Sequence, residues 1–495
     1  MEYKIKVLPN NDEIVAKKGQ TLSHVLANAG YYVPASCGGK GACGKCKIKL
    51  FEGIVQDQVP DENGYILSCK AKIIGDVTVF LRKEAGSGLT EFIHSKVEGN
   101  KSGFGVALDI GTTTLAACLV NLQSGEILEK ISALNPQSAC GADVLSRINA
   151  SSNGKLEFLQ TLILDKTKEI VNTLASGRKI SELYVSANTT MLHLFLGVNP
   201  ESIGKYPFTP VFTNTKILKG EELGLPVDKV CLLPSASAYI GSDITSGVYA
   251  VDMHNENDTL LFVDVGTNGE IVLASDSKLY ATSTAAGPAL EGACIECGTG
   301  GVVGAIDKVY LENGKITFKT IGGAKPVGIC GSGLIDLIAL LLKEEIIDET
   351  GAFDDFSSSP LISSLKDDKF YLTGEIYLSQ KDIRQFQLAK SAISAGLETV
   401  LVEKGISIDQ VQKLYVAGGL GYYMNVTNAC AVGLLPKQLK EKTQVVGNTS
   451  LAGVKACLTQ EKGVLEVEKI AEEMQIIELS FSHIFQDKYV ENMLF

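Results

Sequence analysis

The sequence predicts a small α+β unit followed by a larger, duplicated α/β fold, and three observations carry that prediction. Short alternating strands and one helix surround a cysteine-rich loop within residues 1–84. An apolar strand ending in Asp, a Gly-Thr turn and a second apolar strand occur at Asp109 and again at Asp264. Two further glycine clusters, at Gly331 and Gly418, stand in the second part of the chain. Length and composition agree, since 495 residues suit roughly three domains, and 45% hydrophobic with 21% charged residues is a globular balance.

Residues 3–9 alternate polar and apolar side chains as a half-buried strand does, and residues 12–17 read as their hairpin partner. Thr21 then caps a helix with Leu22, Val25 and Leu26 on one face, which stops at Gly30. After the loop, residues 45–51 alternate again, residues 64–69 bring in Cys69, and residues 76–81 close the sheet. The cysteines follow C-x5-C-x2-C-x22-C at Cys37, Cys43, Cys46 and Cys69. Four thiolates at this spacing suit a [2Fe–2S] centre. Gly38, Gly39 and Gly41 let the loop fold tightly and aim N–H groups inward. Structural zinc is the alternative, although zinc ribbons pair two short knuckles and only one is present. A disulfide framework would need an oxidising compartment. The element order is that of a β-grasp ferredoxin over residues 1–84.

Residues 85–103 are rich in Gly, Ser, Lys and Glu and lose periodicity, so they read as a flexible linker with one apolar piece, Phe92-Ile93. From Phe104 an apolar strand leads to Asp109, a turn with Gly111, Thr112 and Thr113, and a second strand. Backbone N–H groups and hydroxyls in such a turn suit phosphate oxygens, and the Asp suits Mg²⁺ through water. A plain β-hairpin is the bland alternative for a single copy. The pattern returns 155 residues later as Asp264 with Gly266, Thr267 and Asn268. Two copies imply an internal duplication, with subdomains at 104–258 and 259–495 (the second including a C-terminal extension) and a cleft between them. Gly331 and Ser332 open a helix in a turn suited to a hinge or crossing, and Gly418-Gly419 offers bare backbone to a flat nucleoside.

The net charge of −12 argues against nucleic acid as a partner. No secretory leader and no run of about 18 apolar residues stands out, so a cytoplasmic protein without a membrane span is expected. Of twelve cysteines, the eight outside this set of four read as buried free thiols.

The cysteine loop resembles that of adrenodoxin-like and bacterial [2Fe–2S] ferredoxins. The two Asp–Gly-Thr turns and two glycine clusters, in this order, resemble the phosphate-1, phosphate-2, connecting and adenosine motifs of the actin, Hsp70 and sugar kinase ATPase superfamily. The combination resembles the reductive activators of corrinoid proteins, and the local stretches 135–148, 186–193 and 286–292 are similar to theirs. The resemblance implies an ATP-hydrolysing iron–sulfur reductase that passes one electron from a [2Fe–2S] cluster to an inactive Co(II) corrinoid and regenerates Co(I). It implies ATP and Mg²⁺ as cofactors, with Asp109 and Asp264 as the catalytic carboxylates. Thr112 and Thr113 would bind phosphate, Gly266, Thr267 and Asn268 would surround the terminal phosphate, and Gly418 and Gly419 would lie against the adenosine. The partner would be a methyltransferase-associated corrinoid protein or a corrinoid iron–sulfur protein, with an upstream low-potential electron donor and a homodimer as a further option. In one respect the chain is expected to depart from the family: longer members place a middle domain after the ferredoxin, whereas here the linker runs almost directly into Phe104.

Competing readings concern single residues and the overall activity. Cys294-Ile-Glu-Cys297 reads as structural thiols, with a redox pair or half of a second cluster as the alternative. His24 reads as a solvated or packed side chain, and His193 as a packing residue rather than a cobalt ligand. For the whole chain, an ATP-driven donor to another low-potential metalloenzyme, or a nucleotide-binding redox sensor without turnover, are the other functions considered.

Overall fold

The computed structural model describes residues 2–8, 11–29, 31, 41, 46–62, 64–81, 101–420 and 424–495. Cys37, Cys43 and nearly all of the expected linker lie outside them. The chain forms two compact units that divide between Leu232 and Leu233.

The first unit begins with the expected ferredoxin-like sheet. Strands β1 (Glu2–Leu8), β2 (Asp12–Lys17), β3 (Lys47–Glu52), β4 (Tyr65–Leu67) and β5 (Val77–Phe80) lie in the order β2-β1-β5-β3-β4. The β1–β5 pair is parallel and the others antiparallel. Helix α1 (Leu22–Asn28) buries Leu22, Val25 and Leu26 with Ile5, Val7, Ile48, Ile66 and Val79, the one-sided apolar face that its spacing predicts.

The same unit continues into a six-stranded sheet. Its strands are β6 (Phe104–Ile110), β7 (Thr114–Asn121), β8 (Ile127–Leu134), β9 (Ile180–Ala187), β10 (Lys216–Lys219) and β11 (Val227–Leu232), ordered β8-β7-β6-β9-β11-β10. Three strands form an antiparallel meander, and β6, β9 and β11 run parallel. Helices α2 (Val144–Ala150), α3 (Leu156–Ala175) and α4 (Thr189–Leu196) lie between β8 and β10 in the chain. Residues of α3 and α4, among them Leu159, Ile163, Ile170, Met191 and Phe195, join Val106, Leu108, Leu115 and Val185 of the strands in one core.

The second unit opens with α5 (Ser242–Ala250) and carries β12 (Leu260–Val265), β13 (Gly269–Ser275) and β14 (Lys278–Thr284). After α6 (Gly331–Lys343) and α7 (Gln380–Glu403) come β15 (Lys413–Ala417), β16 (Thr443–Gly447), α8 (Thr449–Thr459) and the short β17 (Gln475–Ile476). The sheet order is β16-β15-β12-β13-β14-β17. Strands β12, β13 and β14 form an antiparallel meander and β12, β15 and β16 run parallel, so the topology repeats that of β6, β7, β8, β9 and β11. The duplication read from the two Asp turns is therefore present in the strand order itself.

The division between the halves differs from the expected 258/259. Helix α5 belongs to the second unit because it packs on α8: a Cβ on Gly453 would sit 2.0 Å from the Ser246 carbonyl, so the two backbones are in close contact. The turn at Gly331 is close-packed rather than hinge-like. A Cβ there would lie 1.8 Å from the Leu290 carbonyl, and one on Gly333 would lie 2.2 Å from that of Ile306. Helix α6, which follows, is buried along nearly its whole length.

Candidate functional site

In the ferredoxin-like domain, Cys46 and Cys69 are both buried and their Sγ atoms stand 3.0 Å apart. That is too long for a disulfide bond and brings two thiols to one point, as shared metal ligation requires. The Ser68 amide and hydroxyl both donate to the Cys46 carbonyl, at 3.0 and 2.8 Å, which ties the two cysteine segments together. The donor set fits an iron–sulfur cluster completed by Cys37 and Cys43, which lie outside the described residues.

In the first half of the larger fold, Asp109 stands near the C-terminal end of β6, opposite Ser186 of β9. The turn after it closes with the Gly111 amide donating to the Thr114 carbonyl at 3.0 Å, and a Cβ on Gly111 would lie 2.7 Å from that same oxygen. Every peptide carbonyl of the turn is held. Asn135 Nδ2 donates to Gly111 O at 2.9 Å, the Asn135 amide donates to Thr113 O at 2.8 Å, and the Arg147 guanidinium donates to Thr112 O. Asn188 Nδ2 adds a bond to Thr112 Oγ1 at 3.1 Å. With its carbonyls held and the Gly111 amide spent on closing the turn, the Thr112 and Thr113 amides and hydroxyls are the donors it can offer an anion.

Arg147 is fully buried, and it also donates to Gly141 O at 3.0 Å. Burial pushes its pKa down to about 10, opposed by the nearby Asp143, so it stays charged at neutral pH. The guanidinium thus sets a fixed positive charge against the Gly111–Thr113 turn. Sequence reasoning quoted the stretches holding Asn135, Arg147 and Asn188 only for their similarity to a family. The Asn-Pro and Asp-Val N-cap patterns at Asn135 and Asp143 mark where the bracing segments begin.

In the second half, Asp264 lies in β12 opposite Glu270 of β13 and Ala417 of β15. The turn closes with the Gly266 amide donating to Asn268 O at 2.9 Å, and Thr267 Oγ1 donates to Glu291 Oε2 at 2.7 Å. Glu270 keeps some solvent access, yet its carboxyl is held well above the usual carboxylate range, first by burial and then by the charges of Asp243 and Asp264. Asp243, in the first turn of α5, and Glu291 were missed as site residues, because the fold and not a motif brings them there.

Gly418 has φ of +93°, and a Cβ on it would sit 2.6 Å from Asp264 Oδ1 and 2.7 Å from Val265 O, so only glycine fits where β15 closes on β12. Among the described residues nothing lies within 4 Å of where a Gly419 Cβ would stand, and Gly421 lies outside them. Gly331 and Ser332 do not point toward a ligand. Gly331 backs onto Leu290, beside Glu291, and the Ser332 hydroxyl donates to Asp307 O at 2.9 Å inside the core.

His193 is buried with both ring nitrogens engaged. Nδ1 lies 2.7 Å from the Thr189 carbonyl, Nε2 accepts from the Val211 amide at 3.1 Å, and the ring stacks on Phe212. It packs, as expected, and has no nitrogen left for cobalt. Cys118, Cys140, Cys231, Cys330, Cys430 and Cys457 are buried, while Cys294 and Cys297 are half-buried. No helix among the described residues is long and apolar enough to cross a membrane.

Sequence comparison places three family profiles end to end along the chain. Residues 5–73 match a 2Fe–2S iron–sulfur cluster binding domain, residues 104–256 the RACo middle region, and residues 258–495 the C-terminal ASKHA domain of RACo. The match over 104–256 begins where the expected linker ends and covers the stretch that carries the first Asp–Gly-Thr sheet. The chain is 34% identical over 437 residues to the corrinoid activation enzyme RamQ of Eubacterium limosum, covering 83% of this chain and 73% of that one. It is 24% identical over 414 residues to the [Co(II) methylated amine-specific corrinoid protein] reductase of Methanosarcina barkeri, covering 75% and 73%. Among solved structures, a reductive activator for corrinoid, iron–sulfur protein superposes with a TM-score of 0.74 at 28% identity, covering 100% of this chain and 98% of that one. With its cysteine site, its duplicated Asp–Gly-Thr sheets and these matches, the chain belongs to the family of reductive activators of corrinoid proteins, which join a [2Fe–2S] domain to an ASKHA ATPase domain.

Proposed function

We propose that this protein uses ATP to return the inactive Co(II) corrinoid of a partner protein to Co(I), passing one electron from its [2Fe–2S] domain. The observation that carries the reading is the presence in one chain of two converging buried thiols and two braced Asp–Gly-Thr turns. The cluster, held by Cys37, Cys43, Cys46 and Cys69, supplies the one-electron donor. Plant-type clusters lie near about −400 mV, above the very low potential of a Co(II)/Co(I) couple, so the transfer is uphill. Nucleotide binding biases it through different affinities for two states of the complex.

Each residue has a task that its surroundings support. The turn of Gly111, Thr112 and Thr113 binds phosphate, and Asp109 orients Mg²⁺ through water. Asp264 orients the second side of the reaction, and its charge, with that of Asp243, adds to the burial that raises the pKa of the neighbouring Glu270. Glu291 fixes the rotamer of Thr267, so that the turn through Gly266 and Asn268 meets the terminal phosphate in one conformation. Gly418 lets the adenosine strand close on Asp264, Gly419 leaves room for the nucleoside, and Gly331 with Ser332 supports this arrangement from behind.

The partner is a methyltransferase-associated corrinoid protein or a corrinoid iron–sulfur protein, and the net charge of −12 favours a basic docking patch on it. An upstream low-potential donor refills the cluster, the protein works in the cytoplasm, and a homodimer is compatible with this scheme. The test uses reduced, cluster-loaded protein, MgATP and a Co(II) corrinoid protein. Co(I) absorption should appear with ATP consumption, and Asp264→Ala should lower both by about a hundredfold or more. Failure to form Co(I) with any corrinoid partner would sink the proposal.

A further inference from the structure

His24 of the ferredoxin-like domain is half-buried. Its ring stacks on Phe158, in the first turn of α3, with centroids 5.8 Å apart and planes 29° from parallel. Helix α1 also packs on the 3₁₀ turn Pro136–Ala139, which lies beside the start of α3. Both surfaces belong to the first compact unit.

The landing site is the segment that braces the phosphate turn. Gln137 sits at its centre. Its Nε2 donates to Leu159 O at 3.0 Å, next to Phe158 in the chain, and its Oε1 accepts from Arg147 Nη1 at 3.5 Å. Its amide donates to Asn135 Oδ1 at 3.0 Å. Asn135 and Arg147 are the groups that hold the three carbonyls of Gly111, Thr112 and Thr113. Gln137, Asn135 and Arg147 are fully buried, so motion of the turn has little slack to absorb it before it reaches Phe158.

We propose that α1 of the ferredoxin-like domain docks on the Pro136–Ala139 turn and α3 as a nucleotide-sensitive latch, with the His24–Phe158 stack as its contact point. The inference rests on the reading of Gly111–Thr113 as the phosphate turn. Phosphate binding pulls on Asn135 and Arg147, Gln137 carries the shift to the start of α3, and the stack tightens or opens. The electron-carrying domain thereby holds or releases its place according to the nucleotide bound. Coupling of this kind is reciprocal, so breaking the stack must change nucleotide affinity by the factor with which nucleotide changes docking. An aromatic stack sets that factor at about two- to tenfold.

The experiment uses the full chain with its cluster. Amide hydrogen exchange is followed in α1 and over residues 136–162, without nucleotide, with MgADP and with a non-hydrolysable ATP analogue. Nucleotide affinity is measured in parallel by calorimetry. The expected result is a several-fold change in α1 exchange on nucleotide binding. Phe158→Ala and His24→Ala should each abolish that change and shift nucleotide Kd about two- to tenfold in the same direction, whereas His24→Phe should preserve both. Phe158 is 45% exposed, so its truncation leaves the core of the unit intact, and the cluster spectrum reports that the ferredoxin-like domain is folded. If nucleotide binds while α1 exchange stays constant, the latch is refuted and the phosphate-turn reading stands. If no nucleotide binds to the wild-type chain, both fail together.

Discussion

Replacing Arg147 with Met removes the buried charge under the Gly111–Thr113 turn, and its two effects separate in size. Hydrogen bonds from a charged donor contribute about 1.5–3 kcal/mol each, so those to Gly141 O and Thr112 O together contribute about 3–6 kcal/mol. Against this, the pKa pushed down to about 10 corresponds to about 3 kcal/mol lost at neutral pH by keeping the guanidinium charged out of water. The net contribution to the fold is therefore modest. Arg147→Met should lower the free energy of unfolding in urea by about 3 kcal/mol or less. Binding should suffer more, because a released Thr112 carbonyl lets its peptide rotate and withdraw an N–H from phosphate. Nucleotide Kd should rise about tenfold or more, read by titration with a fluorescent ATP analogue. Arg147→Lys keeps the charge without the planar fork and should recover stability more than affinity. A Met variant that is destabilised yet binds nucleotide as tightly as the parent would refute the reasoning, since the guanidinium would then serve the fold alone.

Two further substitutions test the second half. Gly418→Ala places a methyl group 2.6 Å from Asp264 Oδ1 at a φ of +93°, so it should cost about 2 kcal/mol or more in thermal or urea unfolding and suppress ATP turnover by displacing Asp264. Glu270 takes up a proton on folding, since its pKa is raised in the folded chain. Its stabilising contribution is full below the ordinary carboxylate range and is lost as pH rises through the raised folded pKa. Glu270→Gln should therefore flatten the fall in stability with rising pH and make the variant the more stable of the two under alkaline conditions. Urea midpoints across pH 5 to 9 measure this, and parallel profiles for the two proteins would contradict it.

The parts of this molecule legible in the sequence are those written in consecutive residues. Each Asp turn joins two strands that pair with each other, so the alternation around Asp109 and Asp264 specified strand, turn and strand together. The one-sided face of α1 was equally local. What the sequence concealed depends on segments meeting from a distance. Glu291 reaches Thr267 from 24 residues away, and Arg147 reaches Thr112 from 35 residues away, through no repeated pattern. The packing of α5 into the second compact unit was hidden for the same reason, because α5 is committed to it by α8, some 200 residues later in the chain. His24 packs as expected, but its partner, Phe158, lies in another domain and could not be named from the sequence. Gly331 looked like a hinge because glycine serves both freedom and close approach, and only the neighbouring Leu290 carbonyl decides between them.

The two sheets share a strand order, yet their turns rest on opposite chemistry: a buried cation and amides under one, hydroxyl-binding and neighbouring carboxyl groups around the other. Duplication has thus preserved the scaffold and let the foundations diverge. A loop transplanted from one half into the other would arrive with its own residues and without its support, since that support is supplied by remote segments. The halves are alike as architecture and not interchangeable as parts.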